Sequence, residues 1–329
     1  MAIGKTNAGG ASLGFWKFIL ATAQPATVTR STFVAIVTDA DKTIYAQEAQ
    51  PATPEADAVW FHLQEPADNV LHSTGDVQFR CWGVYQYSSG SWVAVNAYYS
   101  FMGVWKQVTA LPPSGTTLAN CSWDQIGRIA AVGKATDYFC VGDEKEITLS
   151  TSEVVTLQII GFGHDDLAAA GGGKAPITFG FKNCLNTAQQ MNTTNTTTGG
   201  YAATPLYAAI NGAIYGSLPA ELRNVMKNVN KYTTAGSNLN TIVTTQENIF
   251  LLSAVEVHGS GGNAVGEGTQ YAFFTSGGAR VKQANGVNAA WWLRSPYGTG
   301  RFCKTLTTGA YSGDGYLTES NGVALALCV

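Results

Sequence analysis

The chain has 329 residues, 45% of them hydrophobic but only 12% Asp, Glu, Lys or Arg, about half the usual charged share of a soluble domain. Nineteen Lys and Arg against 22 Asp and Glu leave a net charge of −3, so there is no basic surplus for phosphates and charge-driven nucleic-acid binding is not expected. The longest apolar runs, such as Phe33 to Val37, fall far short of the ~20 residues of a membrane helix, and a chain of this length buries a sizeable core without disulfide or metal staples. The 37 glycines, with abundant Thr and Asn, point to short strands and many turns, in an α+β fold whose helices are few and short.

Residues 1–20 read as a flexible Gly/Ala/Ser arm. Leu13 to Leu20 is apolar and Ala21-Thr22-Ala23 imitates a cleavage site, but Lys17 interrupts the run, so no targeting role is expected. Residues 21–115 form a small all-β repeat region: Ala23-Gln24-Pro25-Ala26-Thr27 recurs as Ala49-Gln50-Pro51-Ala52-Thr53. Each copy leads into a strand-like run, Phe33 to Val37 and Val59 to Leu63, which makes one β unit copied. A third strand-rich stretch runs from Val77 through Trp82, Tyr85, Tyr87, Trp92 and Tyr98 to Trp105. Its Ser88-Ser89-Gly90-Ser91 reads as a hairpin turn. These aromatics are expected to pack in the core and across strands rather than form a sugar-binding face. Leu111-Pro112-Pro113-Ser114-Gly115 is the clearest linker.

Beyond the linker, Ser122 is placed to cap a helix from Trp123 to about Val132, with Asp124 in its first turn. Glu146 to Ser150 and Val154 to Phe162 read as strands. Ser217 and Pro219 start a helix through Met226, Thr241 to Thr245 and Ile249 to Leu252 look extended, and Ser253-Ala254-Val255-Glu256 fits a capping box. The final forty residues alternate Gly and polar positions with apolar anchors, the pattern of short strands carrying irregular loops. The adjacent Trp291 and Trp292, on a strand, point to opposite faces, and Arg294 is placed to pair with a buried carboxylate or stack on an indole.

Few motifs carry chemistry. Gly10-Ala11-Ser12-Leu13-Gly14 matches a nucleophile elbow by chance, because no buried strand precedes it. Gly171-Gly172-Gly173-Lys174 lacks the upstream Gly and the following Ser or Thr of a phosphate loop. His164-Asp165-Asp166 could bind a metal or run acid–base chemistry; with no second His at ligand spacing, hydrogen bonding to turn backbone is the expectation. His62, His72 and His258 are scattered and suggest no shared site. Asn192-Thr193-Thr194-Asn195-Thr196 is a polar loop of low complexity with two N-x-T sequons. The six cysteines include no C-x-x-C; buried free thiols are expected, with a Cys303–Cys328 bridge as the alternative. No metal or cofactor is implied.

Residues 120–329 closely resemble a C-type-lectin-like domain found in prophages and surface proteins of Gram-positive gut bacteria. The resemblance rests on Ser122-Trp123, Gly133-Lys134, Val141-Gly142-Asp143, Ile160-Gly161-Phe162, His164-Asp165-Asp166-Leu167, Ile177-Thr178-Phe179 and Lys182-Asn183-Cys184-Leu185. It continues through Met191-Asn192-Thr193, Leu218-Pro219, Thr241 to Thr245, Leu251-Leu252-Ser253 and Gly266-Glu267-Gly268. Trp291 to Pro296, Phe302-Cys303 and Asn321-Gly322-Val323 complete it. Met1 to Ala8, with the Gln-Pro-Ala-Thr repeats, is similar to the start of phage tail proteins.

The resemblance implies a non-enzymatic phage tail-tip or tail-fibre adhesin, carried on the virion and assembled in the host cytoplasm. Residues 1–115 would attach it to tail or baseplate proteins, and 116–329 would recognise a host-cell surface protein or glycan. A homotrimer is implied by analogy with fibre tips. Relatives bind through the last strands and loops, which in some are rewritten by a diversity-generating retroelement acting at AAC or AAT codons. The matching positions here are Tyr297, Thr299, Arg301, Lys304, Leu306, Thr307, Tyr311, Ser312, Asp314, Tyr316, Thr318, Glu319 and Ser320. Adenine replacement within those two codons yields neither Lys nor Glu, so Lys304 and Glu319 are fixed or come from another codon. The bottom-up reading is compatible, since Tyr supplies contact area at low entropic cost while Ser, Thr and Gly adapt. Two alternatives stay open: a formylglycine-generating-type oxidase using Cys303 and Cys328, and a bacterial surface adhesin of prophage origin.

Overall fold

The first third of the chain builds two five-stranded sheets. A computed structural model describes residues 3–6, 11–13, 16–21, 32–37, 42–47, 51–52, 54–64, 80–95, 97–101, 104–108, 112, 115–169, 172–236, 238–261 and 266–329. The chain divides into two compact units, Met1–Gly115 and Thr116–Val329. The first contains Ile3–Thr6 (β1), Ala11–Leu13 (β2), Trp16–Ala21 (β3), Thr32–Ile36 (β4), Ile44–Gln47 (β5), Val59–Gln64 (β6), Arg80–Ser88 (β7), Ser91–Ala94 (β8), Ala97–Phe101 (β9) and Val104–Val108 (β10).

These strands make two five-stranded sheets, β1-β5-β6-β7-β8 and β2-β3-β4-β9-β10. In each, the second and third strands are parallel and every other pairing is antiparallel. Parallel neighbours cannot be joined by a tight hairpin and need a longer crossover. The two Ala-Gln-Pro-Ala-Thr copies fall in those two crossovers, between β3 and β4 and between β5 and β6. The sequence repeat thus marks the parallel crossover of each sheet; its first copy lies outside the described residues. Within residues 1–20, read above as an arm, the described residues form strands: β1 and β2 lie wholly inside and β3 ends just beyond. The β-prone run Trp16-Lys17-Phe18-Ile19-Leu20 pairs along β4 instead of standing free.

The hairpin expected at Ser88 to Ser91 joins β7 to β8, with Ser89 at φ 51° and Gly90 at φ 86°, the two positive values a tight type I′ turn requires. Trp60 and Tyr85 are cross-strand partners with ring centroids 5.4 Å apart, and both are buried. Val77 and His72 lie outside the described residues.

The second unit contains an antiparallel sheet built from Glu144–Thr148 (β11), Val154–Phe162 (β12), Ile177–Phe181 (β13), and, later in the chain, Ile249–Leu251 and Leu325–Cys328. Between these come Gln189–Gln190 (β14), Val229–Ala235 (β15) and Asn238–Glu247 (β16), then Ile249–Leu251 as β17. Lys282–Ala284 (β18), Val287–Ala289 (β19), Trp291–Pro296 (β20), Arg301–Thr305 (β21), Tyr311–Tyr316 (β22), Ser320–Asn321 (β23) and Leu325–Cys328 (β24) complete the set. The large sheet runs β11-β12-β13-β24-β17, so β24 is inserted between β13 and β17. A three-stranded sheet β20-β21-β22 and the hairpin β15-β16 stand beside it in the chain's topology. The fold is α+β with mostly β content.

The helix expected after Ser122 spans Trp123–Ala131 and opens on a full capping box, Ser122 with Gln125. It buries Trp123, Ile126 and Ile129, and Trp123 meets Phe179 of β13 edge-on at 5.6 Å. Gly127 permits close approach of Val225, whose side chain would lie 2.7 Å from any added Cβ. The helix expected through Met226 is shorter, Ala220–Arg223. Its continuation is drawn away because the Lys227 N–H pairs with the Cys328 carbonyl. Among the described residues no helix is long and apolar enough to cross a membrane.

Candidate functional site

All six residues of β20 are buried. The paired Trp side chains take different surroundings, as alternation on a strand demands. The Trp291 indole N–H donates to the Arg280 carbonyl at 3.0 Å, and that of Trp292 to the Gln189 carbonyl at 2.8 Å. Trp291 and Leu293 join the core around Phe250, Leu252 and Tyr271. Trp292 lies against Gly315 of β22, where an added Cβ would come within 2.5 Å of the indole.

Arg294 has the buried-carboxylate partner its position in the motif suggests. Its guanidinium meets Glu256 through both ends, at 2.5 and 2.8 Å, and donates to the Leu251 carbonyl at 2.8 Å and the Thr233 hydroxyl at 3.1 Å. Such a two-ended pairing fixes orientation as well as charge. Glu256 is delivered by the capping box of the helix Ala254–His258: it donates its N–H to Ser253 Oγ at 3.0 Å and accepts from the Ser253 N–H at 2.9 Å. Next in the strand, the Ser295 hydroxyl donates to the Glu267 carboxylate and accepts from the Ala254 N–H.

Lys231, on β15, extends this network. Its ammonium donates to Glu256 Oε1 and to Asp165 Oδ1, both at 2.6 Å, and lies 4.1 Å from the centre of the Phe250 ring. Asp165 also accepts from Thr178 at 2.6 Å, from Tyr271 at 2.8 and 3.0 Å, and from the Cys328 thiol at 3.4 Å. Burial pushes Asp165 up, but the Lys231 charge and its hydrogen bonds outweigh that and hold it well below the ordinary carboxylate range. Burial likewise opposes ionisation of Glu256, and Arg294 with Lys231 overcomes it. Lys231 is pushed down by burial and held up by Glu256 and Asp165, so it stays charged.

The turn-backbone role expected for His164-Asp165-Asp166 therefore does not hold at Asp165, whose carboxylate serves side chains from four separate segments. β12 ends at Phe162, and the chain then carries Asp165 inward beside Thr178 of β13. Asp166 remains at the surface, paired with Lys174 at 2.7 Å and the Tyr232 hydroxyl at 2.9 Å. His164 stacks on Tyr271, and its Nδ1 stands 3.6 Å from Asp165, beyond hydrogen-bond length. A cleft of about 110 Å³ opens here between His164, Lys174, Tyr232 and Thr269, and its lining reaches Asp165, Lys231 and Glu256.

The thirteen surface positions named from the resemblance are all at least partly exposed, with Thr299, Thr307, Asp314, Tyr316 and Ser320 the most open. They do not form one patch. Arg301 pairs with Asp314 at 2.7 Å, donates to the Tyr316 hydroxyl at 2.8 Å and stacks over the Tyr316 ring at 4.6 Å. The Tyr297 ring covers Gly313, where an added Cβ would meet it at 2.5 Å. Lys304 stands opposite Ser312 in the ladder and pairs with Glu319 at 2.7 Å. Ser320 pairs with Gln190 on the short β14-β23 ladder. Leu306 and Thr307 belong to the β21–β22 turn at the other end of the sheet. Tyr311 faces inward: its hydroxyl donates to the Gly261 carbonyl at 3.1 Å and its ring packs edge-on to His258.

One neighbouring segment was not foreseen. The Asn/Thr loop at 192–198 lies against the same end of the sheet as Arg301 and Tyr316. Asn195 Oδ1 accepts from the backbone and hydroxyl of Thr318 at 3.2 and 3.3 Å, and Thr197 donates to the Gly298 carbonyl at 3.1 Å. Gly300 lets the loop approach, since a Cβ there would lie 2.7 Å from the Asn195 carbonyl oxygen. Thr193, Thr194 and Asn195 are exposed beside Thr299. Their Asn/Thr bias was the only sequence signal, and it says loop without saying where.

Of the described cysteines, Cys121, Cys184, Cys303 and Cys328 are buried free thiols and Cys140 is an exposed one, so the alternative of a Cys303–Cys328 bridge is not realised. Cys303 touches the Tyr311 hydroxyl, whereas Cys328 faces Thr178 and Asp165. Burial pushes the Cys303 thiol up to about 12 and Cys328 well above its ordinary value. Among the described residues no group of three or more His, Cys, Asp or Glu side chains is placed to hold a metal ion.

Residues 178–329 match the model of a domain family of unknown function, DUF6273. The matched span runs from β13 through β24, and so includes β20-β21-β22, Lys231, Glu256 and Arg294 but not Asp165. No curated protein and no solved structure matches the chain.

Proposed function

We propose that this protein is a phage tail adhesin whose residues 116–329 adopt a C-type-lectin-like fold and bind a host-cell surface protein or glycan. The observation that carries the reading is the Arg301–Asp314–Tyr316 cluster, exposed on a sheet whose first strand is locked by Arg294, Trp291 and Trp292. A rigid base with polar and aromatic groups displayed above it is the chemistry of a binding surface that loses little entropy on contact. The 192–198 loop enlarges that surface with Thr193, Thr194 and Asn195. Residues 1–115 serve attachment to tail or baseplate proteins, and three copies assemble at the tail tip. The positions other than Lys304 and Glu319 are open to retroelement diversification.

The oxidase alternative gains nothing from the thiols. A reactive or metal-binding cysteine needs a stabilised thiolate, and burial acts in the opposite direction on both Cys303 and Cys328. The test of the adhesin reading is retention of the purified chain on intact Gram-positive host cells. Saturable retention supports it; no retention on cells that the parent phage infects overturns it.

A further inference from the structure

We propose that Lys231 and Asp165 become joined by an intramolecular amide bond that the folded chain forms by itself, with Glu256 carrying the proton. The amine and the carboxyl are already in contact, with Lys231 Nζ 2.6 Å from Asp165 Oδ1, and the Lys231, Asp165 and Glu256 side chains are each only 2% exposed. Two reactive groups fixed in this way react as if at very high concentration. Burial also limits the water that would compete with the amine for the carboxyl carbon.

The reaction needs nothing from outside. One proton passes from the Lys231 ammonium to Asp165 Oδ1 along their hydrogen bond, leaving a neutral amine beside a neutral acid. The ionised pair is the major form, and the bond-forming step draws on the minor neutral one. The amine nitrogen attacks Cγ, the new N–C bond forms, and the Cγ–Oδ1 bond breaks. Glu256 Oε1, 2.6 Å from the same nitrogen, takes the second amine proton and returns it to the departing oxygen, which leaves as water. Ammonium plus carboxylate becomes amide plus water, with no oxidant, nucleotide or metal.

The surroundings of Asp165 suit that step. Oδ2, the oxygen that stays, accepts from Thr178 at 2.6 Å, Tyr271 at 3.0 Å and the Cys328 thiol at 3.4 Å. Thr178 and Cys328 on Oδ2, with the Tyr271 hydroxyl shared between the two oxygens, stabilise the negative charge that develops as the nitrogen adds. The Phe250 ring beneath Nζ closes the other side. Glu256 is the poorer acyl partner although it lies equally close, because both its oxygens are held by the Arg294 guanidinium. With both oxygens so held, neither is free to depart as water, and Glu256 stays fixed beside the amine. The link would tie β15 to the turn after β12 across 66 positions of sequence.

Intact-mass spectrometry of the denatured wild-type chain tests this, followed by peptide mapping. The expected result is a chain lighter by one water than its sequence requires, and a branched peptide joining Asp165 to Lys231. Lys231→Arg should show the full mass, and Glu256→Gln, if it folds by circular dichroism, should remain largely unlinked. The wild-type measurement decides even if both variants fail to fold. A wild-type chain of full mass overturns the proposal, as does a missing water mapped to a linear peptide such as the one containing Asp314-Gly315, or a link from Lys231 to Glu256. A folded Glu256→Gln chain that links as completely as the wild type overturns the role of Glu256.

Discussion

Lys304 and Glu319 are ion-pair partners, Nζ to Oε2 2.7 Å, with side-chain exposures of 14% and 40%. They are also the two members of the surface set that adenine replacement in AAC or AAT codons cannot produce. The pair ties the middle of β21 to the segment after β22, which carries Thr318 and Ser320. Within the proposed function they act as a fixed strut among positions free to vary. Replacing either by Ala should cost about 0.2–1 kcal/mol, the range of partly exposed pairs. The charge-reversed double variant should recover most of that loss in urea unfolding. Additive losses would mean that the contact has no energetic role.

Arg294 should be far less tolerant. Removing it leaves Glu256 buried without its guanidinium partner, and breaking a buried pair from one side typically costs about 3–5 kcal/mol. Arg294→Met should lower the urea midpoint accordingly. Arg294→Lys should rescue only part of the loss, because an ammonium cannot satisfy both Glu256 oxygens together with the Leu251 carbonyl. Unchanged stability in Arg294→Met would remove the basis for calling β20 locked.

Acid should weaken the second unit in two stages. His258 is pushed down from its ordinary 6.5 to about 4, first by burial and then by Arg280. The folded state therefore binds fewer protons than the unfolded one between those values. The contribution of His258 is fully present above pH 6.5 and is lost as pH falls toward 4. Glu256 is held below its ordinary value, so its contribution persists to lower pH and is lost only beneath the usual carboxylate range. His258→Gln, which keeps a polar group near Thr305, should flatten the upper stage. The wild type should lose on the order of 1–2 kcal/mol there, allowing for solvent screening of a partly exposed group. Equal slopes for the two chains between pH 6.5 and 4 would contradict this assignment.

Gly315 is required by contact. A methyl group there would meet the Trp292 ring at 2.5 Å and the Phe302 carbonyl oxygen at 2.7 Å. Gly315→Ala should destabilise by about 1–3 kcal/mol, as overpacking does, and should broaden the Trp292 indole resonance. Gly298→Ala is less crowded, since nothing lies within 4 Å, but its φ of +80° makes it a backbone test and not a packing test.

What could be read from the sequence was what short-range chemistry specifies. The Ser122 cap, the Ser253 capping box, the Ser88 to Ser91 hairpin and the divergent Trp291 and Trp292 each depend on residues within a few positions of one another. Arg294 was legible as a residue placed for a carboxylate or an indole, but neither the choice nor the partner could be read, because Glu256 is 38 positions away. Asp165 was misread for the same reason: its partner Lys231 lies 66 positions on, and a carboxylate after a strand resembles any turn residue until the chain is folded. The loop at Asn195 meets Thr318 across 123 positions, and nothing in an Asn/Thr run specifies that neighbour. Tyr311 and Tyr316 look alike in sequence, yet a hydrogen bond to Gly261 turns one inward and a stack on Arg301 holds the other out.

The most direct test of the proposed binding surface is quantitative retention on host cells of the wild type against a variant with Ala at Arg301, Asp314 and Tyr316. These exposed or partly exposed side chains contact mainly one another, so unfolding stability should change little, within about 1 kcal/mol. Loss of retention with the fold preserved is the predicted result. Equal retention by both chains would contradict the account and place any receptor contact elsewhere on the molecule.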